Sequence, residues 1–191
     1  MLEFALIMPI LIMLLVLIAD FGRIFATGIA IEASARDAAE IGSNEYLGNP
    51  PAALDLPAPM GTAAYYAPLH QRIAQVVCVE TSELANAQFD GVTRTCPGMP
   101  LIQICVHDSQ DTECGREAFG AAIPAGCDTM ATPPVNTHAG SGTPRWVEVR
   151  VCYRFTAILQ SPFLSFGEFW LQRTRTFVIP CYFALGTAEC G

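Results

Sequence analysis

Eight cysteines carry the most reactive side chains in this chain: Cys78, Cys96, Cys105, Cys114, Cys127, Cys152, Cys181 and Cys190, all of them downstream of a leading apolar segment. Thiols in such numbers serve either oxidation to disulfides or metal ligation. An even count confined to one side of a membrane-type helix reads as four disulfides made in an oxidising compartment, with roughly a hundred possible pairings. Zinc is the competing chemistry, because Cys105, His107 and Cys114 could supply three ligands. No paired C-x-x-C spacing occurs, so disulfides are expected, without a metal or cofactor. His70, His107 and His138 stand in no catalytic signature, and no triad or paired-carboxylate constellation is visible, so enzymatic activity is not expected. The run DSQDTE, with Asp108, Asp111 and Glu113, has calcium-type ligands but lacks the order and glycine of an EF-hand, and reads as a solvated turn.

Charge narrows the partners. The net charge is -8 and every basic residue is arginine, which argues against nucleic acid. With 191 residues, 52% of them hydrophobic, the chain has material for one domain with a sizeable core in addition to the leading helix.

That helix opens MLEFALIMPILIMLLVLIADFGR, a glutamate before an uncharged run from Phe4 to Ala19 that contains Pro9. Such a run satisfies its backbone only as a helix in lipid or in a protein core. With only Met1, Leu2 and Glu3 ahead of it, it is expected to be a retained anchor and not a discarded signal peptide. At about 1.5 Å per residue it covers about 24 Å of a hydrocarbon layer near 30 Å, a minimal span. From Asp20 to Tyr46 there is no proline, and Asp20 with Arg23 and Glu32 with Arg36 fall at helical spacings. The helix is therefore expected to run to about Ser43, where GSNEYLGNPP stops it. A helix of roughly 40 residues, near 60 Å, is too long for one small domain to cover.

Gly22, Ala26, Ala30, Ser34, Ala38 and Gly42 form a row of small residues four apart. Such a row is a ridge that lets another helix approach closely, so packing between subunits is expected; the alternative is an alanine-rich helix resting on its own domain. Glu3 at the lip of a bilayer is costly unless it meets a cation, and in a staggered stack of copies the N-terminal amine of a neighbour supplies one. Pro9 removes an amide donor and frees the carbonyl of Ala5, a point where the helix can kink as it repacks.

These residues carry a resemblance. LEFALIMPILIMLLVLIADFGRIF resembles the N-terminus of TadE-like proteins of the tight-adherence (Tad) pilus system, in the type IV pilin superfamily, with Glu3, Phe4, Pro9, Phe21, Gly22 and Arg23 matching one by one. The C-terminal VEVRVCYRFTAILQSPFLSF and LQRTRTFV are similar to that family's closing strand, apolar turn and strand. The resemblance covers roughly the first and last 45 residues and implies a prepilin peptidase and pilus assembly machinery as partners. In that family the glutamate is the fifth mature residue after cleavage behind a glycine, whereas here it is third.

The fold expected is α+β, a long N-terminal helix followed by a disulfide-rich domain with a second helix and an antiparallel sheet, divided at 1–45 and 46–191. TAAYYAPLHQRIAQVVCVE sets Tyr66, Leu69, Ile73, Val76 and Val77 near one helical face, and strands are expected at PLIQICVHD, RWVEVRVCYRF and FWLQRTRTFVIPCYF. In the second of these Val147, Val149, Val151, Tyr153 and Phe155 alternate with Glu148, Arg150, Cys152 and Arg154, which predicts one buried and one wet face. ATPPVNTHAGSGTP reads as an exposed loop with Thr132, Thr137, Ser141 and Thr143 as candidate O-glycan acceptors. The function expected is a structural subunit of an extracellular pilus, polymerising as a homo-oligomeric helical filament for adhesion, resident in the cytoplasmic membrane before assembly and on the cell surface afterwards. The alternatives are a minor pseudopilin that initiates a pilus and a single-pass, membrane-anchored binding domain.

Overall fold

The computed structural model describes residues 2–47, 63–107, 112–115, 123–131, 146–158 and 168–179. Helix α1 spans Leu2–Leu47, 46 residues or about 69 Å at 1.5 Å per residue, and runs on through Pro9. Helix α2 spans Ala63–Glu80; strand β1, Leu101–His107; strand β2, Thr112–Gly115; the short helix α3, Asp128–Ala131; strand β3, Trp146–Thr156; and strand β4, Glu168–Val178. The strands form one antiparallel sheet in the order β2-β1-β3-β4. An α+β fold is thus what the chain adopts, and β2 and α3 are the elements that residue patterning does not announce.

The core lies between one face of the sheet and the two long helices. Ile102, Ile104, Val147, Val149, Val151 and Tyr153 meet Leu69, Ile73 and Val77 of α2 and Ile31, Ala35, Ala38 and Ala39 of α1. The α2 side chains recur at three and four residues because one helical face is apolar, as its sequence predicts. From Asp20 onward α1 supplies a wall of this core.

The other face of β3 departs from expectation. Glu148, Arg150 and Cys152 are buried, not wet, because the segment around α3 lies over them. Cys127 is bonded to Cys152, and Leu101, Met130, Ile123 and Trp170 pack around that bridge. Gln172 fastens the same segment, its Nε2 donating to the Gly126 carbonyl at 2.6 Å and its Oε1 accepting the Thr129 N–H at 2.9 Å. Alternation along a strand shows that two faces differ in polarity, and a distant segment can still cover the polar one.

Two further disulfides join Cys78 to Cys96 and Cys105 to Cys114. The latter bridges partner residues of β1 and β2, so two members of the alternative zinc trio are bonded to each other and have no thiolate to offer a metal. Cys181, Cys190, His138, Asp108, Asp111, Thr132, Thr137, Ser141 and Thr143 lie outside the described residues, as do the side chains of Glu3 and Glu113.

His70 on α2 gives the fold a pH dependence. Its side chain is buried and stacked near Tyr66, ring centroids 6.0 Å apart, and burial pushes the imidazole down from 6.5 to about 4. The folded chain therefore binds fewer protons than the unfolded one between those values. Stability from this residue is complete above pH 6.5 and is lost as the pH falls toward 4. The full loss is up to about 3 kcal/mol. Denaturation midpoints measured from pH 7.5 to 4 will trace it, and His70→Gln will flatten the profile above pH 4.5.

Candidate assembly surface on the N-terminal helix

Helix α1 has two environments. From Phe4 to Leu15 every described side chain is exposed, Phe4 at 64%, Leu6 at 69% and Leu15 at 65%. Among the described residues this is the helix long and apolar enough to cross a membrane. The apolar half stands outside the fold because none of the described segments of the domain covers it, which agrees with a helix too long for its domain.

Asp20 begins the docked half. It is 6% exposed, and its two carboxylate oxygens accept the Ile158 N–H at 3.0 Å each while Oδ1 also takes the Arg23 guanidinium at 3.1 Å. The Arg23 guanidinium in turn lies 5.2 Å from the centroid of the Phe155 ring. The pair expected from spacing is formed, and it fastens the helix to the end of β3. Glu32, expected to pair with Arg36, instead meets Arg173 at 3.2 Å and Arg175 of β4. A strand crossing the helix offers two guanidiniums at that point, one to each carboxylate oxygen, and two cations outcompete a single solvated pair along one helix.

The row of small residues divides. Gly22 and Ala26 are exposed and Ala30 is half-buried, whereas Ser34, Ala38 and Gly42 are buried in the chain's own core. A Cβ added at Gly22 would meet nothing within 4 Å, while one at Gly42 would come within 3.0 Å of Ile73 Cδ1 and 3.1 Å of Val147 Cγ1. The cause is helical geometry. Four residues advance about 400°, so the row drifts about 40° at each step and winds roughly 200° from its first member to its last. One neighbour cannot cover all six. Ala38→Leu will therefore overpack the monomer and lower its stability by about 1 to 3 kcal/mol. Ala26→Leu will leave the melting temperature unchanged, so its effect on assembly, if copies pack there, is read without a folding defect. Thermal melts of the two full-length variants separate the cases.

A second polar constellation was not foreseen. On the covered face of the sheet Glu148 Oε2 lies 3.1 Å from His107 Nε2, its Oε1 accepts from Arg150 Nε, and the His107 ring stacks on Trp146 with centroids 3.9 Å apart. Gln103 lies beside Arg150, and Arg150 donates to the Thr129 carbonyl. Burial pushes the Glu148 carboxyl up, but hydrogen bonds from His107 and Arg150 and their charges outweigh it, and the net direction is down. Both oxygens are engaged, so the group locks the strands. The available signal was the cross-strand register, in which Gln103 faces Arg150 and Cys105 faces Glu148, and register is a tertiary property. Among the described residues no group of three or more His, Cys, Asp or Glu side chains could hold a metal ion.

No curated protein and no solved structure matches the chain. Its N-terminal segment does match a family: the model of the TadE-like protein family matches residues 1–40, which hold Glu3, Phe4, Pro9, Phe21, Gly22 and Arg23 and include the exposed half of α1 together with most of the docked half.

Proposed function

We propose that this chain is a structural subunit of an extracellular Tad-type pilus, held in the membrane by the apolar half of α1 before assembly and polymerising through that helix into a homo-oligomeric filament. The TadE-like segment associates it with the tight-adherence pilus system. The observation that carries the reading is the exposure of α1 from Phe4 to Leu15, an apolar rod that its own domain leaves bare. In the membrane lipid covers this rod, and in a filament other copies take the place of lipid. The three disulfides among the described residues suit a domain that works outside the cell. Prepilin peptidase and the assembly machinery are the partners this reading implies, and adhesion is its biological use.

A second reading has one observation in its favour. Ser34, Ala38 and Gly42 are buried within the chain, so half of the small-residue row needs no neighbour. A single-pass, membrane-anchored binding domain or a minor pseudopilin would share that feature. Electron microscopy of sheared surface material, with antibody labelling of this chain, separates the readings: label along the filament supports the structural subunit, label at one end the pseudopilin, and label only in the membrane fraction the anchored domain.

A further inference from the structure

The span of α1 leaves a mismatch with the bilayer. With Glu3 at one lip, the uncharged run from Phe4 to Ala19 covers about 24 Å at about 1.5 Å per residue, and about 30 Å of hydrocarbon reaches about four residues further along the helix. The far boundary then falls close to Arg23, beyond Asp20. Whatever part of the domain lies at that level faces lipid.

Contacts along α1 identify that part. Glu32 meets Arg173 and Arg175, Arg23 lies over Phe155, and Asp20 accepts the Ile158 N–H, so the sheet follows α1 toward its apolar half and ends beside Asp20. Thr156 faces Glu168 on the last rung between β3 and β4, so the chain joining these strands leaves and re-enters the fold at this end. Ile158 is 60% exposed there, and Phe21, next to Asp20, is 59% exposed. From Ala157 to Gly167 the sequence holds no charged residue. Backbone groups at lipid must be hydrogen-bonded within the protein, and the Ile158 N–H, just past β3, is given to the Asp20 carboxylate. That bond and the Arg23 guanidinium leave Asp20 buried, so the carboxylate inside the boundary is paired and shielded. The next charges, Arg154 and Glu168, are exposed 4.0 Å apart, and Trp170 faces Arg154 in register. Arginine and tryptophan at this height are side chains that favour the headgroup layer.

We infer that the β3–β4 end of the domain seats in the headgroup layer of the bilayer beside α1, with Ile158 and Phe21 against lipid. The surface is continuous with the apolar half of α1, which by length and composition can cross a membrane, and that continuity makes lipid its partner. The domain then touches the membrane at two places, the helix and the sheet end. A second contact off the helix axis fixes the tilt of the domain and stops it turning freely about α1. The inference needs only membrane residence, which the pilus subunit, the pseudopilin and the anchored domain share, and it goes beyond each of those readings.

The test places a single copy of the full chain in nanodiscs of phosphatidylethanolamine and phosphatidylglycerol. An environment-sensitive fluorescent amino acid stands at position 158, at position 11 within the rod, or at position 92, where Val92 is 93% exposed on the loop that Gln75 holds through the Thr93 carbonyl. Lipids carrying a nitroxide at the headgroup or at the bilayer centre act as quenchers, and each labelled chain must keep the melting temperature of the unlabelled one. Position 158 is expected to show blue-shifted emission and stronger quenching from the headgroup nitroxide than from the central one. Position 11 should show the reverse order, and position 92 neither shift nor quenching. Quenching at position 11 with none at 158 would overturn the inference and leave the anchored rod and the pilus reading standing. A blue shift at 158 without quenching would also overturn it, because protein would then cover the residue. Equal quenching at 92 and 158 would do the same, since the domain would then lie on the membrane without a preferred end. Loss of quenching at position 11 as well as at 158 would remove the anchor itself, and the pilus reading with it.

Discussion

Glu148→Ala is expected to lower the unfolding free energy of the oxidised full-length protein by about 3 to 5 kcal/mol, the cost of stranding the cation of a buried ion pair. Arg150 is 8% exposed and Glu148 is 5% exposed, so water cannot replace the lost carboxylate without opening the segment around α3. That segment is held over the sheet by the Cys127–Cys152 bridge and by Gln172, and Arg150 itself donates to the Thr129 carbonyl within it. Among its described contacts the guanidinium keeps Gln103 at 3.5 Å and the Thr129 carbonyl, neither of which carries a charge, and His107 loses its described hydrogen bond across the strands. Glu148→Gln keeps the volume and one acceptor, so its loss should be about half as large. Urea denaturation at pH 7 measures both. A loss below about 1 kcal/mol for Glu148→Ala, within the range of an exposed pair, would show that the network does not hold the covered face in place.

If the chain assembles as proposed, with Glu3 paired to a neighbour's N-terminal amine, Glu3→Ala is expected to leave it folded, oxidised and membrane-bound, yet absent from sheared filaments. Removing a carboxylate from the lip of the bilayer makes residence there easier. In the filament, however, the amine of a neighbouring subunit would be buried without its counter-charge, at about 3 to 5 kcal/mol for each contact, repeated along the polymer. Co-expressed wild-type chains should partly rescue incorporation, because some amines would then meet an intact Glu3. Quantitative immunoblotting of sheared and membrane fractions reads the outcome. Normal incorporation of the mutant on its own would reduce Glu3 to a carboxylate favoured by the helix dipole, a role of about 0.3 to 1 kcal/mol.

Local chemistry already announces most of the elements. Pro9 and Pro68 are each tolerated inside a helix, and the absence of proline from Asp20 to Tyr46 lets α1 run without a break to Leu47. The alternating valines of β3 and the threes and fours of α2 are periodicities of the backbone itself, so they can be read without knowing what lies opposite. Three bridges are formed among the described cysteines, in keeping with their even number on one side of an apolar helix. The four-residue strand β2 gives no such signal, because it is too short to show a period and owes its place to pairing with β1 and to the Cys105–Cys114 bridge.

What the amino-acid sequence alone determined is the order of the two long helices and the three longer strands, the anchor-like N-terminal rod and the TadE-like character of its first residues, all properties of neighbours along the chain. Only the tertiary structure decided which surfaces are covered. Periodicity states how side chains turn relative to their own backbone, but coverage depends on segments far away in sequence. The segment at 123–131 buries Glu148, Arg150 and Cys152, and β4 takes Glu32 from its helical neighbour. The small-residue row makes the same point within one helix. Its members are evenly spaced in sequence, yet the drift of about 40° per step carries Gly22 and Ala26 outward and Ala38 and Gly42 into the core. That division depends on where α2 and the sheet dock on the helix, which no local pattern encodes.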